Sequence, residues 1–342
     1  MGTDKVGMIF DRIAGLEAVH EAVLYIEDTS GGFRYNRSCG GKGLDTPMLM
    51  ASITKMLTAA CVLALDQQGK LSLRDRAIER FDDAALEGIH VLNGRDYSKE
   101  LTIADLLFQI SGLPDAFEEG ALKRRLMRED FCFSFEDLLG EVKSLRPHFA
   151  PGGGAKAHYA DINYDILGRI IENTTGLGLS EAYDRHIFMP LGLKGTYLPE
   201  NENDPVPGIY CREKLLHRPK FVKSSRASGG CVSTANDLMR IMKAFFGGKL
   251  FDIDVLTKIS RFKELQPSFS PIRYGGGLMQ IPLSGIHTLF LGKGQLIGHS
   301  GSTGSFAFYY PVEDLYFVGD LNQMADASLP IKLVMRLAMT LK

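Results

Sequence analysis

Among the side chains able to do nucleophilic or acid–base chemistry, Ser52 and Lys55 have the most suggestive spacing, within Ser52-Ile53-Thr54-Lys55. The apolar run around them, with Ile53, Met56, Leu57, Ala60 and Ala64 on one stripe and Gly69 beyond its end, predicts a helix over 51–65. A serine at the start of such a helix has its oxygen near the positive end of the dipole and near unpaired backbone N–H groups. A lysine three residues on lies one turn along the same face, where its amine reaches the hydroxyl. Crowded between an apolar helix and other cations, a lysine loses its proton near neutrality, so Lys55 is expected to act as the base that activates Ser52. A helix-capping serine beside a solvated lysine would fit the same four residues, and other segments must decide.

Two such segments exist. Pro151-Gly152-Gly153-Gly154 leads into His158-Tyr159-Ala160-Asp161, just before a helix predicted over 162–175 with Gly176 as its C-cap. Tyr159 is thereby presented on a glycine-rich loop, where a phenol can accept or relay the serine proton. Near the carboxyl end, Gly298-His299-Ser300-Gly301-Ser302 falls in a strand context, with glycines that let a substrate backbone come close. The structural alternatives are a half-buried aromatic at Tyr159, a helix cap at Asp161 and a satisfied core histidine at His299. Other familiar sites lack their motifs: there is no G-x-x-x-x-G-K-[ST], no G-x-G-x-x-G after a strand, no H-E-x-x-H and no G-x-S-x-G.

The elements that must position these residues alternate in kind along the chain. A short helix over 6–16 precedes a hairpin of 22–27 and 33–37, turned by Asp-Thr-Ser-Gly-Gly. From 71 to 210 strand signals fade and helices are predicted over 103–110, 135–145 and 162–175. Ser233-Thr234-Ala235-Asn236-Asp237 resembles a capping box opening a helix over 238–246 that Gly247-Gly248 stops. Strands at 296–297, 306–310 and 315–318 and a closing helix over 331–341 complete the pattern. Residues 1–70 and 211–342 are thus expected to form one sheet domain, interrupted by a mostly helical insertion over 71–210.

Composition limits the partners. The 342 residues, 45% apolar and 23% charged, are those of a folded chain of about two structural units. With 39 basic against 41 acidic residues the net charge is −2, and no broad field exists to gather nucleic acid or anionic lipid. Five scattered cysteines without a C-x-x-C spell neither a disulfide framework nor a zinc site, and free thiols in a reducing compartment are the simplest account. Residues 1–10 lack a basic stretch followed by a long apolar one, and no run of 18 apolar residues follows, so a cytoplasmic location is expected.

In this order, S-x-x-K, then the Tyr159 segment, then a [KH]-[ST]-G near the carboxyl end resemble the serine β-lactamase and penicillin-binding-protein superfamily. The chain looks most like its class C-like branch, which includes family VIII esterases, D-aminopeptidases and D,D-carboxypeptidases. The resemblance runs from about Val23 to Asn322 and includes 52–60, Gly69-Lys70-Leu71-Ser72-Leu73, Ser111-Gly112-Leu113-Pro114 and Pro190-Leu191-Gly192-Leu193. It implies an antiparallel sheet flanked by helices, an inserted helical domain and an active site in the groove between them. It makes Ser52 the acylated nucleophile, Lys55 its proton partner, Tyr159 a second acid/base and His299 a catalytic position on the strand edge. Asp161, Ser300 and Gly301 would bind substrate. Backbone N–H groups of Ser52 and Ser302 would form the oxyanion hole, each donor worth on the order of 2.7 to 4 kcal/mol in the transition state.

The implied reaction is acyl transfer to Ser52 and hydrolysis of the ester, on a small-molecule substrate and without metal or organic cofactor. Two positions depart from the family pattern. Asp161 stands where asparagine is usual, and an ionised carboxylate only accepts hydrogen bonds. His299 replaces the commoner lysine and is mostly neutral at pH 7 with an unperturbed pKa of about 6.5. Both make the groove more negative and argue against an efficient penicillinase. A hydrolase of small esters, amides or D-amino-acid peptides is therefore expected, the alternatives being a β-lactamase or D,D-carboxypeptidase and a catalytically weak sensor or binding protein.

Overall fold

Residues 22–27 of the first strand are buried without alternation, the mark of a strand covered on both faces. In the computed structural model, which describes residues 3–81, 84–201, 203–259, 262–284 and 292–341, that strand lies inside an eight-stranded sheet. Its members are β1 (Ala22–Asp28), β2 (Arg34–Cys39), β3 (Lys263–Glu264), β4 (Arg273–Gly275), β5 (Leu278–Pro282), β6 (Gln295–Ser300), β7 (Ser305–Tyr310) and β8 (Leu315–Asp320), ordered β2-β1-β8-β7-β6-β5-β4-β3. Every neighbouring pair is antiparallel. Strands from both ends of the chain share the sheet, with Val23 opposite Asp320 and Asp28 opposite Leu315. The β1–β2 turn forms as its residues dictate, Asp28 accepting from the N–H groups of Gly32 and Phe33 at 2.9 and 2.8 Å.

Helices flank this sheet. Thr3–Ala14 packs on Leu329–Thr340, and Ala235–Phe246 lies against β8, β1 and β7. Thr54–Gln67 has its first twelve residues buried, so it runs through the core rather than over the surface. Ile162–Thr175 packs on it and on Ile103–Leu107, and ends at Gly176 in the left-handed conformation as expected.

The differences from expectation are local. The predicted helix over 51–65 opens as a 3₁₀ turn, Ala51–Ile53, and becomes α-helical at Thr54. The helix predicted over 103–110 stops at Leu107 because Gln109 turns left-handed at φ +56°. Thr234 caps its helix by accepting from Asp237 N–H, but the Asp237 carboxylate turns to the N–H groups of Lys194 and Gly195, leaving half of the expected box. Among the described residues the helical stretch contains a short hairpin, Val91–Leu92 with Arg95–Asp96, and a second, Ile209–Cys211 with Lys214–Leu216, straddles its expected end. The edge strands β3, β4 and β5 had no counterpart in the sequence reading.

Candidate active site

The segment before Ser52 is pinned from two sides. Met50 N–H donates to Cys231 O at 2.9 Å, while Ser305 Oγ donates to Met50 O at 2.9 Å and Thr303 Oγ1 to Leu49 O at 3.3 Å. Held between them, Ala51 adopts φ +44°, a strained value for a residue with a Cβ. The strain sets Ser52, half-buried, at the free end of the 3₁₀ turn. It occupies the helix start expected of a nucleophile and caps nothing.

One turn on, the Lys55 side chain is wholly buried. Its Nζ donates to Ser228 O at 2.6 Å and to Ser52 Oγ at 3.2 Å, and pairs with Asp161 Oδ1 at 2.6 Å. Two close backbone approaches build this nest. A Cβ on Gly168 would lie 2.5 Å from that of Ala227, so only glycine lets the Ile162–Thr175 helix sit against the turn carrying Ser228. A Cβ on Gly277, at φ +83°, would lie 2.5 Å from that of Ala59, so the β4–β5 turn rests directly on the Ser52 helix.

These neighbours overturn the expectation that Lys55 loses its proton near neutrality. Burial does penalise the ammonium, but the Asp161 carboxylate and the Tyr159 oxygen more than offset it, and the pKa is raised above the ordinary lysine value. Lys55 faces an anion, where the sequence reading supposed other cations. Asp161 likewise caps no helix: its backbone is helical and its side chain makes no cap bond.

Tyr159 is held from both walls. Its N–H donates to Gln266 Oε1 at 3.0 Å, and Ala157 N–H to Glu264 O at 2.7 Å, on the sheet side. On the helical side His158 N–H donates to Gln109 O and Ala160 N–H to Gln109 Oε1, both at 2.9 Å. The ring lies 5.0 Å below Lys55 Nζ and packs edge-on against Tyr274. Its buried hydroxyl faces Ser52 and Lys55. Burial pushes the phenol up to about 12, against the pull of the Lys55 charge, so it is protonated at neutral pH.

On β6, His299 Nδ1 lies 2.8 Å from Ser300 O. A carbonyl only accepts, which fixes the proton on Nδ1 and leaves Nε2 a lone pair; that atom is buried and unpartnered. Burial, helped by the Lys55 charge, holds the imidazole down to about 3. His299 is therefore neutral, as expected, for a stronger reason than its unperturbed pKa.

Beyond it, Ser300 is buried with Oγ toward Met279 Sδ at 3.8 Å, and Gly301 N–H donates to Ser305 O at 2.8 Å. A Cβ on Gly301 would lie 2.7 Å from Met50 O, so the turn bearing the exposed Ser302 rests on the segment leading to Ser52. No acceptor among the described residues takes the backbone N–H of Ser52 or of Ser302.

Two more carboxylates escaped the sequence reading. Asp115, directly after the quoted Ser111-Gly112-Leu113-Pro114, accepts from Asp161 N–H at 3.2 Å. Burial and the Asp161 charge push it well above the carboxylate range, and the same two causes raise Asp165. Lys55 thus pairs with Asp161, which is flanked by two acids whose hold on their protons burial strengthens. Their only signal in the sequence was proximity to segments already singled out.

Comparison with known proteins places the chain in a family. A family model described as Beta-lactamase matches residues 19–335. The chain belongs to the beta-lactamase family. Like other members of that family it is a serine hydrolase. A relative in Salmonella agona (strain SL483), named "Putative D-alanyl-D-alanine carboxypeptidase", is 26% identical over 302 residues, covering 79% of this chain and 67% of the relative. The fold matches a D-stereospecific amidohydrolase from Streptomyces sp. at TM-score 0.79, with 22% identity over 96% of this chain and 97% of that one. It also matches the D-amino acid amidase of Ochrobactrum anthropi SV3, solved with L-phenylalanine amide, at TM-score 0.78, with 20% identity over 98% and 97%. An octameric penicillin-binding protein homologue from Pyrococcus abyssi matches at TM-score 0.79, with 22% identity over 100% of this chain and 78% of that one. The antiparallel sheet flanked by helices is the architecture expected of the family. Among the described residues no helix is long and apolar enough to cross a membrane.

Proposed function

We propose that this chain hydrolyses small amides, esters or D-amino-acid peptides bearing a free amine near the scissile bond, through an ester formed on Ser52. The observation that carries the reading is the chain of contacts from Ser52 Oγ to Lys55 Nζ at 3.2 Å and on to Asp161 Oδ1 at 2.6 Å, with the Tyr159 hydroxyl facing Ser52 and Lys55. Because Lys55 is already an ammonium, it accepts the Ser52 proton only as it hands one of its own to Asp161. The two act as one acid–base unit. Ser52 Oγ then attacks the acyl carbon, and the N–H groups of Ser52 and Ser302 receive the developing oxyanion. Tyr159 donates its proton to the departing amine or alcohol and is reprotonated from the Lys55–Asp161 pair. In the second half a water replaces the leaving group and the protons run back.

Substrate charge follows from the same groups. Lys55 is consumed by Asp161, and neutral His299 offers a substrate carboxylate no positive charge. His299 Nε2 instead offers a lone pair to a donor. The reading takes residues 71–210 as the helical unit whose 109–119 and 158–165 segments line one side of the groove, with β6 and the β4–β5 turn opposite. An intracellular setting is part of it, supported by five unpaired cysteines.

Fluorophosphonate and a labelled penicillin, each followed by peptide mass mapping, test the assignment. A single fluorophosphonate adduct on Ser52, absent from Ser52→Ala, is expected. Labelling that survives in the alanine variant overturns it. A second reading, a slow member that binds more than it turns over, is favoured by the tightly paired Lys55. It predicts an adduct on Ser52 with no detectable release of acyl product from any amine-bearing amide or ester.

A further inference from the structure

We propose that Glu119, His148 and His158 bind a divalent transition-metal ion, zinc by the chemistry of the donor set. His148 Nε2 lies 2.9 and 3.1 Å from the two Glu119 oxygens and His158 Nε2 lies 2.8 Å from Oε1. The two rings stack with centroids 3.7 Å apart and 29° between planes, and one donor atom from each residue falls within 4.8 Å of the others. Two imidazoles and one carboxylate suit zinc, whose bonds of about 2.0 to 2.2 Å in a tetrahedron space its ligands about 3.3 Å apart. The carboxylate already lies close to both nitrogens, and to admit the ion the stacked rings must turn so that their in-plane Nε2 lone pairs converge on it. Binding takes the Nε2 lone pair of each ring, with the ring proton on Nδ1.

The scaffold around the donors is already fixed. Glu119 Oε1 also accepts from Asp115 N–H at 2.9 Å, an outer contact of the kind that orients metal ligands, and His158 N–H is tied to Gln109 O. His158 is buried, whereas Glu119 and His148 reach solvent, which leaves a fourth position open on the outer side. The site shares a wall with the Ser52 centre: His158 precedes Tyr159, and Asp115 holds Asp161 N–H. No sequence motif announced it, since 29 and 39 residues separate the histidines from Glu119.

Calorimetric titration of the chelator-treated full chain with Zn2+, and with Co2+ followed by its visible absorption, tests the proposal. One equivalent of Zn2+ and a tetrahedral Co2+ spectrum are expected. His148→Ala and Glu119→Gln should each weaken binding at least ~10-fold, the lower range for removing even an outer-sphere partner. Glu119→Gln keeps an acceptor for Asp115 N–H, so circular dichroism should match wild type. Ser52→Ala and His299→Gln should bind as wild type does. No saturable Zn2+ binding, binding unchanged in His148→Ala and Glu119→Gln, or binding lost in His299→Gln instead, overturns the site.

Discussion

Among the described residues two lysines are buried, each 2.6 Å from an aspartate, in different surroundings. Lys42 Nζ lies between Asp320 Oδ2 at 2.6 Å and Glu21 Oε1 at 3.0 Å. Asn322 completes the cage, its side chain donating to Glu21 at 2.6 Å and its backbone to Asp320 at 2.9 Å. Asp320 is only 3% exposed. Lys55 has Asp161 on one side and a hydroxyl, Ser52 Oγ, on another, and Asp161 is 29% exposed. In both cases the anions outweigh the burial penalty and the amine stays charged. Glu21 is 28% exposed, close to the 29% of Asp161, so access to solvent does not separate the two. What separates them is the third neighbour, a second carboxylate beside Lys42 and the Ser52 hydroxyl beside Lys55.

The largest expected effect separates the two lysines. Lys55→Ala should cut kcat at least ~100-fold, the lower range for losing acid–base help, with modest change in stability because Asp161 can rehydrate. Lys42→Ala should do the reverse. It strands a buried carboxylate at a cost of about 3–5 kcal/mol, read from the urea midpoint, while the folded fraction keeps kcat within ~3-fold. A Lys42 variant that stays folded but loses activity as Lys55→Ala does would break the contrast. Tyr159→Phe should also cost at least ~100-fold, and the Lys55→Ala/Tyr159→Phe double variant should lose less than the product, since both groups move the same proton.

Next in size is an acid effect on folding. His299 is held down to about 3 in the native state, against about 6.5 unfolded. Below 6.5 the unfolded chain binds the extra proton, so stability that is fully present above that value drains away as pH falls toward 3. The loss by pH 5 is about 2 kcal/mol. Denaturation midpoints at pH 5 and 7 should differ by that much more in wild type than in His299→Gln. An equal difference in both would mean the imidazole is protonated where it lies.

Asp161→Asn sharpens the comparison by removing the anion from the Lys55 pair alone. At an effective dielectric of 20, two charges 4 Å apart interact by about 4 kcal/mol. Even a well-screened version should shift the ratio of kcat/KM for matched amine- and carboxylate-bearing esters about tenfold toward the carboxylate. An unchanged ratio would mean that Asp161 serves Lys55 only. The smallest expected effect is at Ala51, where glycine should relieve the φ +44° strain and, after its own entropy cost, stabilise by roughly 0.5 kcal/mol.

What the sequence revealed and concealed follows from the range of the forces involved. Ser52 and Lys55 were legible because helical geometry acts over one turn, and Gly176 because a left-handed cap is a one-residue property. The sheet edge at 263–282 was not: β3 and β4 are two and three residues long, β3 pairs only with β4, β4 turns through Gly275-Gly276-Gly277 into β5, and β5 leans on β6. The ionisation of Lys55 was misread for the same reason, since its partner Asp161 arrives from a distant segment. Spacing can bring two groups together on paper, but their charge depends on everything else that folds around them.

The loop carrying Tyr159 is fastened to Gln109 on one wall and to Glu264 and Gln266 on the other. It therefore works as a gauge of the gap between the walls. A substrate bulky enough to spread them would have to break one set of these bonds, and the phenol would leave its place beside Ser52 at the moment of entry. Oversized molecules would then be refused by disarming the chemistry, without any door to close against them.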